Sequence, residues 1–204
     1  MARVLGLCGS LRRDSFNAAL LRVISQQLPD GMEIEIFEGL ADVPPFNADI
    51  DTQPPLPAVA RLRAAIRAAD GLIVTTPEYN HSIPGVLKNA FNWASRPTTD
   101  LSLTGKAAVV AVATRGQHLG FRGLSETMRM LTGFGNIVVP GPEVVINAAH
   151  ERLVPGPDGT VRLNDSIACD LIRSQLAVLA DLLDAGAART LGESLRRHVT
   201  TVWW

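Results

Sequence analysis

Short apolar runs at residues 3–8, 71–76, 106–114 and 136–140 alternate with stretches whose apolar residues recur at helical spacing. Each run is too short for a helix and too continuous for a strand with a solvated face, so it suits a parallel sheet covered on both sides. A further run at 32–37 sets Glu33 and Glu35 against Met32, Ile34 and Ile36, the pattern of a strand with one wet edge or face. Five strands alternating with helices build βαβ units, and their right-handed crossovers lay helices on both faces. The expectation is an α/β, doubly wound, five-stranded parallel sheet in a three-layer sandwich, carried by one domain over residues 1–204. Aromatic residues make up only 5% of the chain, so the core must be built from Ala, Val, Leu and Ile.

Helical spacing places Phe16, Ala19, Leu20, Val23 and Ile24 on one face of a helix over 15–28, and Val59, Leu62, Ile66 and Ala69 on one over 58–69. Pro84 suits the first turn of a helix running to about residue 95, with Val86 or Leu87, Ala90, Phe91 and Ala94 inward. Trp93 fits either core or an interface. A short helix over 124–131 ends at Gly133. A long one over 165–185 runs through Ile167, Leu171, Ile172, Leu176, Leu179 and Leu183. Asp158-Gly159 sits between two small alternating runs, a hairpin signal within 151–163. The proline-rich stretch 41–57 reads as a loop, and 190–204 shows no pattern that assigns it.

Lys plus Arg number 19 and Asp plus Glu 20, a net charge of −1 without the basic excess of a nucleic-acid binder. Cys8 and Cys169 cannot make a disulfide framework or a metal cluster, and they suit a reducing compartment. The uninterrupted apolar stretch 107–113 falls far short of the ~20 residues of a membrane span. The first apolar run meets Arg12, Arg13 and Asp14 too soon for an export signal. The reading is a cytoplasmic protein with no membrane, nucleic-acid or metal partner.

Ligands of doubly wound sheets sit beyond the carboxyl ends of the strands, at the point where the strand order reverses. That singles out the loops after the first, third and fourth strands. The first, from Gly9 to Asn17, combines the hydroxyls of Ser10 and Ser15, the amide of Asn17 and the charge of Arg12 at the start of a helix. Helix amides and such donors suit a phosphate, but an ordinary capped loop with solvated arginines fits as well. The second, Pro77-Glu78-Tyr79-Asn80-His81-Ser82-Ile83-Pro84, is stiffened by its prolines. Its polar groups can bond the edge of a planar heterocycle and Tyr79 can offer apolar surface. A plain surface turn, with Glu78 serving the loop's own hydrogen bonds, is the alternative.

Together, Gly9-Ser10-Leu11-Arg12-x-x-Ser15-Phe16-Asn17 and Pro77-Glu78-Tyr79-Asn80, followed by Pro84-Gly85-Val86-Leu87-Lys88-Asn89-Ala90, resemble the NADPH-dependent FMN reductase family, most of all its quinone and chromate reductase branch. The resemblance implies a flavodoxin-like fold with strand order 2-1-3-4-5 and non-covalent FMN, with NADPH or NADH as hydride donor. It implies that Ser10, Arg12, Ser15, Phe16 and Asn17 surround the phosphate, and that Pro77, Glu78, Tyr79 and Asn80 line the isoalloxazine and ribityl chain. The third loop, with Arg115 and Gly116, shares glycines with the family but carries Arg115 where a small polar residue is expected. No side chain is assigned a catalytic proton transfer, because hydride passes directly between stacked rings. Acceptors would be quinones, free flavin, azo compounds or metal oxyanions, served in a ping-pong cycle by a homodimer or homotetramer. The rival readings are a flavodoxin-type electron carrier, which usually has a strong acidic excess, and a flavin-binding regulatory protein without turnover. A doubly wound hydrolase ranks lower, for want of a Gly-x-Ser-x-Gly elbow.

Overall fold

In the computed structural model, which describes residues 1–96, 101–116 and 119–198, the apolar runs form the sheet that their spacing predicts. The chain runs through β1 (Ala2–Cys8), α1 (Phe16–Ser25), β2 (Met32–Ile36), α2 (Pro57–Ala68), β3 (Gly71–Thr75), α3 (Gly85–Ala94), β4 (Ala107–Ala113) and α4 (Phe121–Gly133). It continues through β5 (Ile137–Val138), β6 (Val144–Ile146), α5 (Ala149–Arg152), β7 (Leu153–Pro155), β8 (Val161–Leu163), α6 (Ser166–Asp184) and α7 (Ala187–His198). The sheet is parallel, in the order β2-β1-β3-β4-β5, with β6 also pairing with β4. Strand β2 is an edge, which accounts for its alternating glutamates.

The two faces of β4 show why its run is continuous. Ala107, Val109, Ala111 and Ala113 pack against Leu20, Leu21, Val23 and Ile24 of α1 and Ile172, Leu176 and Leu179 of α6. Ala108, Val110 and Val112 face Val59, Leu62 and Ile66 of α2, the apolar side of α3, and Leu124 and Leu131 of α4. Trp93 is fully buried, so it belongs to the core rather than to an interface. Its indole N–H donates to Pro44 O at 2.7 Å and its ring meets Phe46 edge-on. The stretch 41–57 is thereby tied down, with 3-10 turns at Leu40–Asp42 and Ala48–Ile50.

Several boundaries depart from the sequence reading. The fifth strand is split: β5 pairs with the start of β4 and β6 with its end. Pro140 and Pro142 lie between them and have no N–H for the ladder. The side-chain amide of Gln175 donates to Pro142 O and, more weakly, to Pro140 O. Ile167 is 80% exposed instead of facing inward, because it lies in the first turn of α6 beyond the edge of the sheet contacts. Pro84 is the N-cap of α3 rather than its first residue. Helix α4 starts at Phe121 instead of 124, behind Gly120, whose φ of 72° turns the chain into the helix and whose Cβ, if present, would lie 2.5 Å from Val112 Cγ2. Part of the unassigned stretch 190–204 is helical in α7, while residues 199–204 lie outside the described residues. The period of α7 runs through Ala188, Gly192 and Leu195, a short face set among charged residues.

A buried ion pair closes the α2–α3 side. Arg63 donates through Nη2 to both carboxylate oxygens of Asp51 at 3.0 and 3.1 Å and through Nε to Trp93 O at 3.0 Å. Removing one partner of such a pair strands the other charge. Arg63→Ala is expected to lower the unfolding free energy by about 3–5 kcal/mol in denaturant melts. The double change Arg63→Met with Asp51→Leu should recover most of it; no recovery would show that the pair itself, rather than the stranded carboxylate, carries the stability.

Candidate functional site

The loops leaving β1, β3 and β4 meet at one edge of the sheet, and hydrogen bonds from distant parts of the chain set their positions. Asn17 is buried, and its carboxamide donates to Ala113 O and accepts from Ala113 N–H, both at 2.9 Å. The hydroxyl of Thr75 donates to Asn17 O at 2.9 Å. The start of α1 is thus fastened to the ends of both β3 and β4. Ser15 is its N-cap, accepting from Ala18 N–H at 3.2 Å, which leaves the Ser15 O–H as a donor. The first amides of α1 have no partner inside the helix and, with the positive end of its dipole, face the same turn. Ser10 Oγ accepts from Arg12 N–H, and the Arg12 and Arg13 side chains are exposed. Phe16 is half-buried against the core.

The β3–α3 loop lies directly beside this turn. Ser10 Oγ and Tyr79 Oη are 3.4 Å apart, and Tyr79 remains 45% exposed. Tyr79 and Ser82 exchange both backbone hydrogen bonds around Asn80 and His81, whose φ values are 50° and 67°. Two left-handed central residues make a type I′ turn, usually built from Asn or Gly. Among the described residues, the other non-glycine positions with positive φ are Leu119 and Ala148, after β4 and β6. All four lie at the carboxyl edge of the sheet, and strained backbone of this kind gathers at binding sites.

Two carboxylates, one on the loop and one on α4, tie the loop to that helix. Glu78 accepts from the Arg122 and Gly123 N–H groups at 2.9 and 3.4 Å, capping α4 from another loop. That outside cap stabilises the early start of α4, and no local pattern announces it. Glu78 Oε1 also lies 3.7 Å from both His81 Nδ1 and Arg122 Nη1, which are themselves 2.6 Å apart. The side chain of Glu78 is therefore turned toward α4, where Pro77 O and Glu78 Cα also lie against Gly123, while Tyr79 Oη meets Ser10 and the Pro77 ring borders Gly9 in the turn after β1. Glu126, which the sequence reading passed over, accepts from Ser82 Oγ at 2.6 Å and Ile83 N–H at 3.3 Å. In the third loop Arg115 and Gly116 are exposed, Gly116 N–H donating to Thr114 Oγ1 at 3.3 Å. Gln117 and His118 of that loop lie outside the described residues. The site is an open platform: donors suited to a dianion at one end, and a stiff, partly apolar ledge beside them.

The model for the NADPH-dependent FMN reductase family matches residues 2–151. The chain is 39% identical over 177 residues to an NAD(P)H-dependent FMN reductase of Pseudomonas aeruginosa, covering 87% of this chain and 92% of that one. It is 32% identical over 182 residues to a quinone reductase of Escherichia coli, covering 89% and 95%. Among solved structures, the flavoenzyme NAD(P)H:(acceptor) oxidoreductase FerB of Paracoccus denitrificans superposes with a TM-score of 0.78 at 27% identity, covering 91% of this chain and 99% of that one.

The hydrogen bond from Ser82, helped by the Ile83 amide, outweighs burial and holds the Glu126 carboxyl below its ordinary 4.5. A depressed carboxyl contributes stability that is present above pH 4.5 and lost as the pH falls through its lowered folded value. Ser82→Ala is expected to move the Glu126 titration upward, read by carboxyl-carbon NMR. An unmoved titration would show that Ser82 is not the brace.

Proposed function

The chain belongs to the NADPH-dependent FMN reductase family, and from that premise we propose that it binds FMN at the carboxyl edge of its sheet and works as an FMN-dependent NAD(P)H oxidoreductase for small-molecule acceptors. The observation that carries the reading is the 3.4 Å approach of the Ser10 and Tyr79 hydroxyls. It joins a turn built for a phosphate to a ledge built for a planar ring, above β1 and β3, where the strand order reverses.

Ser10, Arg12 and Ser15, with the amides around Phe16, hold the phosphate, while Asn17 fixes that turn from behind. Pro77, Glu78, Tyr79 and Asn80 line the ring and its ribityl chain, Glu78 through its backbone. Arg115 and Gly116 border the ring from the third loop. FMN, when bound, supplies the two-electron chemistry, taking hydride from NADPH or NADH and passing electrons on. The chain's own part is to orient the ring and keep one face open, and none of its side chains has to exchange a proton in hydride transfer. An open face accepts quinones, free flavin, azo compounds or metal oxyanions in turn, and the name of the Escherichia coli relative favours quinones. A carrier or regulator without turnover is not favoured, since these relatives are named as enzymes. The family resemblance supports a homodimer or homotetramer as the working form, and a monomer mass in sedimentation equilibrium would overturn that part.

The direct test is the flavin absorbance of the purified protein, its anaerobic bleaching by NADPH, and its return on adding a benzoquinone. Colourless protein that takes up no FMN would sink the reading. Bound flavin that NADPH does not bleach would favour the carrier. Arg12→Ala should weaken FMN binding by about 1.5–3 kcal/mol, the worth of a hydrogen bond to a charged group, measured by fluorescence quenching of added FMN. Arg115→Ala should lower the midpoint potential of the bound flavin, because a nearby cation favours the more negative reduced state. An unchanged potential removes Arg115 from the ring's surroundings.

A further inference from the structure

The amino-terminal edge of the sheet, opposite the loops described above, holds an unusual concentration of positive charge. A cavity of about 280 Å³ there is lined by Arg67, Asp70, Lys106, Arg189 and Arg196, with Leu182 and Leu183 of α6 forming its apolar wall. Helix α7 closes it. Gly192 lies against Gly105, so close that a Cβ on Gly192 would stand 2.6 Å from Gly105 Cα. That approach sets Arg189 and Arg196, three residues before and four after Gly192 on the same helix face, on either side of the opening. Arg189 Nη2 pairs with Asp70 at 3.3 Å and Arg196 Nη2 donates to Thr104 O at 3.2 Å. Lys106 Nζ donates to Ala69 O and, at 3.5 Å, to Arg67 O.

Cations at this edge have an ordinary role, since the carboxyl ends of α2 and α6 point here. The charges, however, exceed that need. The two helix ends amount to roughly one negative charge together. Asp70 adds one more, and Lys106, Arg189 and Arg196 together still outnumber these negative charges. The groups facing Lys106 act accordingly: burial, with Arg196, Arg189 and Arg67, outweighs Asp70 and brings the amine down to about 8. The contacts of Arg189 and Arg196 each use one of five guanidinium donors, and both residues line the cavity.

We propose that this cavity binds a phosphate group, as the free dianion or as the end of a small phosphomonoester, between Lys106, Arg189 and Arg196. Its volume suits a small ligand only, below the usual ~300–1,000 Å³ of sites for larger molecules. The site is separated from the FMN loops by the length of the sheet, ~20 Å for a seven-residue strand, so its failure and that of the flavin reading are read separately.

The test uses the FMN-saturated protein, with calorimetric titration of inorganic phosphate and, separately, glycerol 3-phosphate at constant ionic strength. One saturable site per chain is expected for at least one of them, the tighter ligand identifying the source. Arg189→Gln with Arg196→Gln should weaken it at least tenfold, the equivalent of one lost charged hydrogen bond of about 1.4 kcal/mol. Arg162→Gln, an exposed change of charge on β8, should leave it unaltered. Unchanged far-ultraviolet circular dichroism reports that each variant is folded, whether or not flavin is bound. A second measurement needs no variant: sulfate, whose own charge is constant here, should bind more weakly as the pH rises past about 8 and Lys106 loses its proton. Absence of saturable binding to the wild type overturns the proposal. So does equal affinity in the double variant and the Arg162→Gln control, or sulfate affinity that ignores pH.

Discussion

The carboxamide of Asn17 holds the functional edge together. It spans 96 positions of sequence to satisfy both backbone groups of Ala113, while the backbone carbonyl of Asn17 accepts from the Thr75 hydroxyl. A buried amide with its donor and acceptor both engaged fixes orientation more strictly than apolar packing does, because a small rotation leaves polar groups unpaired. The start of α1, and with it every donor in the first loop, takes its position from the ends of two strands. Preorganisation of this kind removes the ordering cost from ligand capture.

The second loop follows the same logic with carboxylates. Glu78 and Glu126 join it to α4 in both directions, one reaching from the loop to the helix and one from the helix to the loop. They help hold His81, beside the more permissive Asn80, in a left-handed conformation that costs a residue with a Cβ. Both acidic side chains are here structural braces between the loop and α4.

Much of this was legible in the sequence, and the illegible part has a common cause. Strands buried on both faces announce themselves, as β4 does, since every residue must be apolar. The two loop motifs identified the edge and the residue types gathered there. Features decided by partners far away in sequence stayed hidden. The early start of α4 depends on a cap supplied by Glu78, and the fastening of Asn17 depends on Ala113. Glu126 looks like any solvated helix residue until Ser82 is placed against it. Helix α7 escaped notice because its face of Ala188, Gly192 and Leu195 is short and set among Arg189, Glu193, Arg196 and Arg197.

The broken fifth strand bears on how copies of this chain can meet. Pro140 and Pro142 remove ladder donors at one border of the sheet, and at the other β2 carries Glu33 and Glu35. Neither border offers a clean row of amides and carbonyls to a neighbouring strand, a familiar protection against runaway stacking. Strand addition from another chain is thereby disfavoured, and the sheet stays closed to growth.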